Sequence, residues 1–90
     1  MYLFLGGGHV VGFCDIVGVF DLDTASVGAV TRSYLAAAQK AGRVVDVTPG
    51  QLPKSFVVCE REDKAVVYLS QISSATLKKR FLGGFLDDRE

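Results

Sequence analysis

The chain has 90 residues, of which 49% are hydrophobic, and its ten acidic and ten basic residues give a formal net charge of zero. This length predicts a single domain, and the balanced charge of the whole chain gives no electrostatic argument for binding to nucleic acid or to an anionic membrane. Because so small a domain leaves much of its surface exposed, the high hydrophobic fraction indicates that some apolar surface is buried between subunits.

Three short strands are predicted near the start of the chain. Residues 2–5 are apolar and precede three consecutive glycines, which favour a tight turn because glycine adopts positive φ at little cost. Residues 9–11 are expected to continue on the return strand, and the apolar residues 16–20 form the third strand. The glycine turn lacks the Lys-Ser or Lys-Thr pair of a phosphate-binding loop, so we do not expect it to bind phosphate.

The apolar start of the chain has no basic leader and stops at the glycines. We therefore expect neither a signal peptide nor a membrane span, and we predict a cytoplasmic protein. Cys14 and Cys59 lie in apolar runs without CxxC spacing, which is typical of buried free thiols in a reducing compartment.

The main helix is predicted over residues 26–41. Asp21 and Asp23 precede it, Thr24 is its predicted N-cap, and Gly42 is expected to end it. Apolar residues recur along one helical face, which we expect to pack on the sheet; this face comprises Val27, Val30, Tyr34, Ala37, Ala38 and Ala41.

An antiparallel hairpin is predicted at the centre of the fold, after a short strand at residues 44–47. Its two apolar runs, residues 56–59 and 65–69, are joined by the charged segment 60–63, which favours a turn in water. Both runs are apolar at nearly every position, so we expect both faces of the hairpin to be covered. The main helix supplies one cover, and the other face needs a second.

A second, short helix is predicted after the hairpin. Ser73 or Ser74 is its expected N-cap, Leu77 and Phe81 share its inner face, and two consecutive glycines end it. The predicted fold is therefore α+β, with a small, mostly antiparallel sheet packed on one main helix and a short C-terminal helix. We expect one domain over residues 1–82 and a tail over 83–90.

No catalytic or metal-binding pattern stands out in the sequence. His9 and Cys14 have an odd spacing on short strands, which does not place a nucleophile beside a base. One histidine and two separated cysteines do not make a zinc site. We predict that the protein is not an enzyme and uses no cofactor, metal or small-molecule substrate.

Two sets of residues are candidates for binding. Lys54, Lys78, Lys79 and Arg80 are candidate contacts to DNA phosphates, and the alternative for the last three is a solvated helix face. Four large apolar residues close to the C-terminus are candidates for an oligomer interface, namely Phe81, Leu82, Phe85 and Leu86. For this second set the alternative is a frayed terminus.

Four blocks of the sequence resemble the RemB branch of the bacterial extracellular matrix regulatory (Rem) family. They are MYLFLG at 1–6, IVGVFDLDT at 16–24, LPKSFVV at 52–58 and ISSATLKKR at 72–80. The resemblance runs from Met1 to about Arg80 and implies a small cytoplasmic regulator linked to expression of biofilm matrix genes. In the related RemA branch it implies a DNA-binding activator with a fold likened to LytTR-type domains, assembled into rings that present arginines to DNA.

This chain differs from the RemA pattern at the residues that meet DNA. Residues 50–54, which match an arginine-rich loop of RemA, contain only Lys54 as a basic residue, and Cys14-Asp15 stands near where RemA has a further arginine. The resemblance leads us to expect a homo-oligomeric regulator of matrix genes that binds double-stranded DNA mainly through phosphates. The alternative is a ring-forming interaction protein that binds a regulatory partner and no DNA. Neither function involves a membrane.

Overall fold

The computed structural model describes residues 1–22 and 28–83, and within these ranges the chain forms two sheets and two α-helices. The strands are β1 (Tyr2–Gly6), β2 (His9–Gly12), β3 (Ile16–Asp21), β4 (Val44–Asp46), β5 (Ser55–Arg61) and β6 (Lys64–Ser70). The helices are α1 (Ala29–Lys40) and α2 (Ser74–Leu82), and a 3-10 turn at Phe13–Asp15 leads into β3. The predicted α+β fold is confirmed.

The main sheet has four strands in the order β3-β5-β6-β4. β5 runs antiparallel to both β3 and β6, and only β4 is parallel to its neighbour, so the sheet is mostly antiparallel as predicted. β1 and β2 form a separate antiparallel hairpin. Among residues 1–22 and 28–83, no helix is long and apolar enough to cross a membrane.

The two faces of the main sheet are both covered by the chain itself. On one face, Ala38 of α1 packs on Phe56, Val58 and Val67. On the other face, a second cluster joins the β1–β2 hairpin and α2 to the sheet; its buried members are Leu3, Leu5, Val11, Val47, Val57, Cys59 and Leu77. The second cover that the β5–β6 hairpin requires is therefore internal, and burying that hairpin needs no other subunit.

The glycine turn between β1 and β2 forms as predicted and packs closely on the loop after β4. Gly7 has φ +56°, and a Cβ atom there would collide with the carbonyl oxygen of Val47. Only glycine meets both conditions, since a side chain is strained at this φ and has no room. The turn thus places the hairpin against the rest of the domain.

Helix α1 has the capping motif expected from the sequence at its C-terminus but not at its N-terminus. Gly28 is the N-cap residue and offers no side-chain cap, whereas Thr24, the predicted cap, lies outside the described residues. At the other end, Gly42 has φ +74° and ends the helix as predicted. Its N–H donates to the Gln39 carbonyl, and the next N–H donates to the Ala38 carbonyl, which is the Schellman pattern.

The prediction of the buried face of α1 is largely wrong. Ala38 is buried, but Val30 is 85% exposed, and Tyr34, Ala37 and Ala41 are exposed as well. Val27 lies outside the described residues. Leu35 lies beside Ala38 on the sheet, so the helix is turned by one residue, roughly 100°, from the predicted orientation.

The end of β6 and the start of α2 agree with the sequence more closely. Ser73 is the N-cap, and its hydroxyl accepts a hydrogen bond from the Thr76 N–H at 3.2 Å. Leu77 is fully buried, and the Phe81 ring packs on Phe13 with 4.7 Å between ring centroids. The inner face predicted for this helix is therefore confirmed.

The two cysteines have different environments. Both are free thiols, as predicted, but Cys59 is buried whereas Cys14 is exposed. The prediction that both thiols are buried is wrong for Cys14, because it lies in the 3-10 turn between strands rather than in a strand that faces the core.

Candidate nucleic-acid and subunit interfaces

Lys54 lies at the entrance to β5 with a backbone that is held on both sides. Its N–H donates to the Ser70 carbonyl at 2.8 Å, and its own carbonyl accepts from the Leu22 N–H at 3.0 Å. The next residue, Ser55, donates its hydroxyl to the Ile72 carbonyl at 2.7 Å. These bonds place Lys54 at the end of the sheet where the chain enters α2, with its side chain exposed.

Lys78, Lys79 and Arg80 are all exposed on α2, and none forms an ion pair with any residue in the described ranges. Because successive helical residues are about 100° apart, the three side chains fan around the helix rather than forming one row. At the start of α2, Ser74 is buried and the Thr76 N–H is already bonded to Ser73. The cationic side chains are therefore better placed for phosphate than the N–H groups of the helix.

An apolar groove of about 280 Å³ lies between β3 and α2 and includes two predicted interface residues. Phe81 and Leu82 line it together with Ile16, Val17, Gly18, Val19 and Lys78. Phe81 is half-buried through its contact with Phe13, whereas Leu82 is 83% exposed. Phe85 and Leu86 lie outside the described residues, so their part in an interface stays a prediction.

Another groove, of about 470 Å³, runs between the β1–β2 hairpin and the tip of the β5–β6 hairpin. Its lining includes Cys59, whose pKa is raised to about 11 by burial and by the nearby Asp15 carboxylate. Burial, Cys59 and Asp15 also raise the pKa of Tyr68 above its usual value. Thiol and phenol are therefore neutral at physiological pH, which leaves Asp15 and Glu62 as the anionic groups of this groove.

Arg61 and Lys64 are basic residues of this groove that the sequence analysis did not single out as binding candidates. They face each other directly across the β5–β6 hairpin, just before and after its turn. The signal that could have identified them was the charged link itself, since a two-residue turn makes its two flanking residues neighbours on one face. In the part of the chain that the structure describes, no three potential metal ligands lie together.

The comparison with known families agrees with the sequence blocks quoted above. The sequence model of a protein family described as "RemA-like: Extracellular matrix regulatory protein A-like" matches residues 3–81. The chain belongs to the RemA-like family. Extracellular matrix regulatory protein B of Bacillus subtilis (strain 168) is 39% identical to this RemA-like chain over 80 residues, which is 89% of each of the two sequences. The predicted resemblance is confirmed, and with it a place among extracellular matrix regulatory proteins.

Proposed function

We propose that this RemA-like protein is a cytoplasmic, homo-oligomeric transcriptional regulator of extracellular matrix genes that binds duplex DNA mainly through phosphates. The observation that supports DNA binding most directly is that Lys54, Lys78, Lys79 and Arg80 are exposed and have no ion-pair partner among the described residues. Such side chains attract phosphates without reading base sequence, so the predicted specificity is low.

Oligomerisation is required for useful affinity in this proposal. One chain has no net charge, and its four candidate phosphate contacts are few, so a single copy binds DNA weakly. Several copies held together present the same cations repeatedly to one duplex, and the later contacts form at a high effective concentration. Affinity then depends on assembly as well as on individual lysines and arginines.

A titration of labelled duplex DNA at several salt concentrations tests the DNA contact. Replacing Lys78, Lys79 and Arg80 with alanine is expected to flatten the dependence of log affinity on log salt, by roughly 0.9 for each phosphate that is no longer neutralised. Lys40→Ala is the control, because Lys40 is an exposed cation on α1, which packs on the opposite face of the sheet. An unchanged slope in the triple variant would move the contact elsewhere, with Lys54 as the next candidate.

A ring-forming interaction protein that binds no DNA is the second candidate. It is favoured by exposed large hydrophobic side chains, which suit a protein partner better than DNA phosphates; examples are Val30 and Tyr34 on α1 and Leu52 before β5. Light scattering and the DNA titration separate the two functions. An oligomer without DNA affinity at low salt favours this second function, whereas a mass near 9.7 kDa excludes the homo-oligomer in both.

A further inference from the structure

The apolar groove between β3 and α2 has an exposed hydrophobic side chain on each of its two walls. On the β3 wall Val17 is 65% exposed, and on the α2 wall Leu82 is 83% exposed. Among the described residues that line this groove, Lys78 is the only charged one. The groove therefore suits an apolar segment that carries negative charge next to its apolar residues.

The β3 wall lies at an edge of the main sheet. β3 is the outermost strand of that sheet, with β5 as its neighbour in the described part of the chain. The register between these two strands shifts between Ile16 and Gly18, so Val17 has no partner residue on β5. An irregularity of this kind re-aims the side chain of the extra residue. The bulge thus keeps an apolar side chain on the surface at a sheet edge, where another segment can pack against it.

Residues 84–90, which follow α2 in the sequence, have the composition that this groove requires. They contain a Phe-Leu pair at 85–86, followed at once by two aspartates at 87–88. Packing the apolar pair into the groove removes it from water together with the exposed side chains of the walls. The aspartates then lie within reach of Lys78, which has no ion-pair partner among the described residues. Such an exposed charge pair adds little affinity, but it fixes the direction of the bound segment.

The end of α2 indicates which copy supplies this segment. Gly83 has φ −105° and ψ 28°, and its N–H donates to the Lys79 carbonyl, as in a continuing helix. At the end of α1, by contrast, Gly42 has φ +74°, the left-handed conformation that changes the direction of the chain after a helix. Lys78 and Phe81 of the groove lie behind Gly83, towards the start of α2. Gly83 therefore directs the chain away from its own groove, which leaves the groove open to a second copy.

We propose that the groove between β3 and α2 receives the C-terminal residues of a neighbouring copy, with Phe85 and Leu86 packed between its two walls. Donor and acceptor are different surfaces, so each copy can donate to one neighbour and accept from another. A heterologous contact of this kind repeats from copy to copy and closes into a ring when the successive rotations complete a turn. The inference rests on the homo-oligomeric part of the proposed function and names the contact that builds the oligomer. Of the four candidate phosphate contacts only Lys78 lines this groove, so the other three stay available to DNA.

Analytical ultracentrifugation over a range of protein concentrations tests the groove with a matched pair of variants. Val17→Glu places a charge on the β3 wall and is expected to reduce the assembled mass to that of a single chain. Val30→Glu makes the same chemical change at a more exposed valine on α1 and is expected to leave the mass unchanged. Circular dichroism melting shows whether each variant is folded. Leu82→Glu, on the α2 wall, repeats the test if Val17→Glu fails to fold.

A mixing experiment tests whether the contact joins two chains. Phe85→Ser with Leu86→Ser removes the donor from the full-length chain and keeps the groove, whereas Val17→Glu removes the acceptor and keeps the donor. Each variant alone is expected to be monomeric. Their equimolar mixture is expected to form a 1:1 complex and nothing larger, because one donor and one acceptor remain in the pair. A chain with all three substitutions is the control, since it should form a complex with neither variant. A mixture that stays monomeric overturns the inference.

The remaining outcomes separate this inference from the proposed function. A wild-type protein that is monomeric overturns both the homo-oligomer and the groove contact. A wild-type oligomer that Val17→Glu and Leu82→Glu leave intact overturns the groove contact alone, and DNA binding by that oligomer keeps the proposed function standing. Dissociation by the Phe85 and Leu86 substitutions without dissociation by the groove variants places the C-terminal residues on another surface. Dissociation by the groove variants alone gives the groove a different occupant, and either result overturns the inference.

Discussion

The Ser70 hydroxyl donates a hydrogen bond to the Leu5 carbonyl at 2.8 Å and so joins β6 of the main sheet to β1, the first strand of the chain. The same oxygen accepts from the Ile72 N–H at 3.0 Å, and Ser70 is fully buried. Ser70→Ala is expected to destabilise the protein by about 2 kcal/mol, because it leaves two backbone groups without this partner. Urea unfolding measures the loss. Ser33→Ala, at an exposed site on α1, is the control, and an equal loss in both variants would contradict the prediction.

The orientation of α1 predicts opposite results at two adjacent alanines. Ala38 is fully buried against the sheet, whereas Ala37 is exposed. Ala38→Leu is expected to reduce the free energy of unfolding by about 1–3 kcal/mol, because the extra atoms have no room. Ala37→Leu keeps the same change in helix propensity and should stay within about 0.5 kcal/mol of wild type. Chemical denaturation of the pair decides the matter, and a larger loss at Ala37 would restore the face predicted from periodicity.

The β5–β6 turn offers a stabilising substitution. Glu62 and Asp63 have φ of 52° and 65°, so both central residues occupy the left-handed region, as a type I′ turn requires. Asn-Gly suits that geometry better, and Glu62→Asn with Asp63→Gly is expected to add about 1 kcal/mol of stability. The urea midpoint should rise with an unchanged slope. The same pair placed at Glu60 and Arg61, within β5, should lower the midpoint, and a fall in both variants would argue against the turn geometry.

Cys59 predicts a loss of stability at alkaline pH. Burial, followed by Asp15, raises its pKa from 9.0 to about 11, so the folded state keeps a proton that the unfolded chain releases first. The free energy of unfolding should therefore be unaffected below the unfolded pKa and fall above it, by at most about 1.4 kcal/mol per pH unit until the folded pKa is reached. Cys59→Val should remove this slope, leaving the smaller contribution of Tyr68, whose pKa is also raised. Cys14→Ser is the control, and denaturation series at increasing pH would contradict the prediction if all three proteins lose stability equally.

The C-terminal residues give a truncation experiment. Phe85 and Leu86 are predicted to dock on a neighbouring subunit, since burying each contributes roughly 1.5–3 kcal/mol. A chain that ends at Gly83 should then elute from a sizing column as smaller species at low concentration and melt at a lower temperature. A chain that ends at Leu86 removes only the polar residues 87–90 and is the control. Identical behaviour of the first truncation and the full-length protein would refute the docked tail.

Local rules in the sequence predicted most elements of this fold, because each depends on neighbouring residues. The glycine turn, the β5–β6 hairpin, the end of α1 at Gly42 and the Ser73 cap are all of this kind. The family resemblance, carried by contiguous blocks, was found in the same way. For the candidate site, the sequence also predicted that the basic residues of α2 are exposed.

Only the tertiary structure shows how distant segments pack, namely which side of α1 faces the sheet and where the β1–β2 hairpin lies. Apolar residues occur on more than one side of α1, so periodicity could not choose the side shared by Leu35 and Ala38 over the side shared by Val30 and Tyr34. Packing on the sheet decides the orientation of the helix, because the small Ala38 side chain lies against Phe56 and its neighbours. The β1–β2 hairpin covers the second face through the bond from Ser70 to Leu5, which are 65 residues apart. By filling that face it leaves Tyr2, Phe4 and Val10 outside, because a two-stranded sheet of apolar residues can turn only one side to the core.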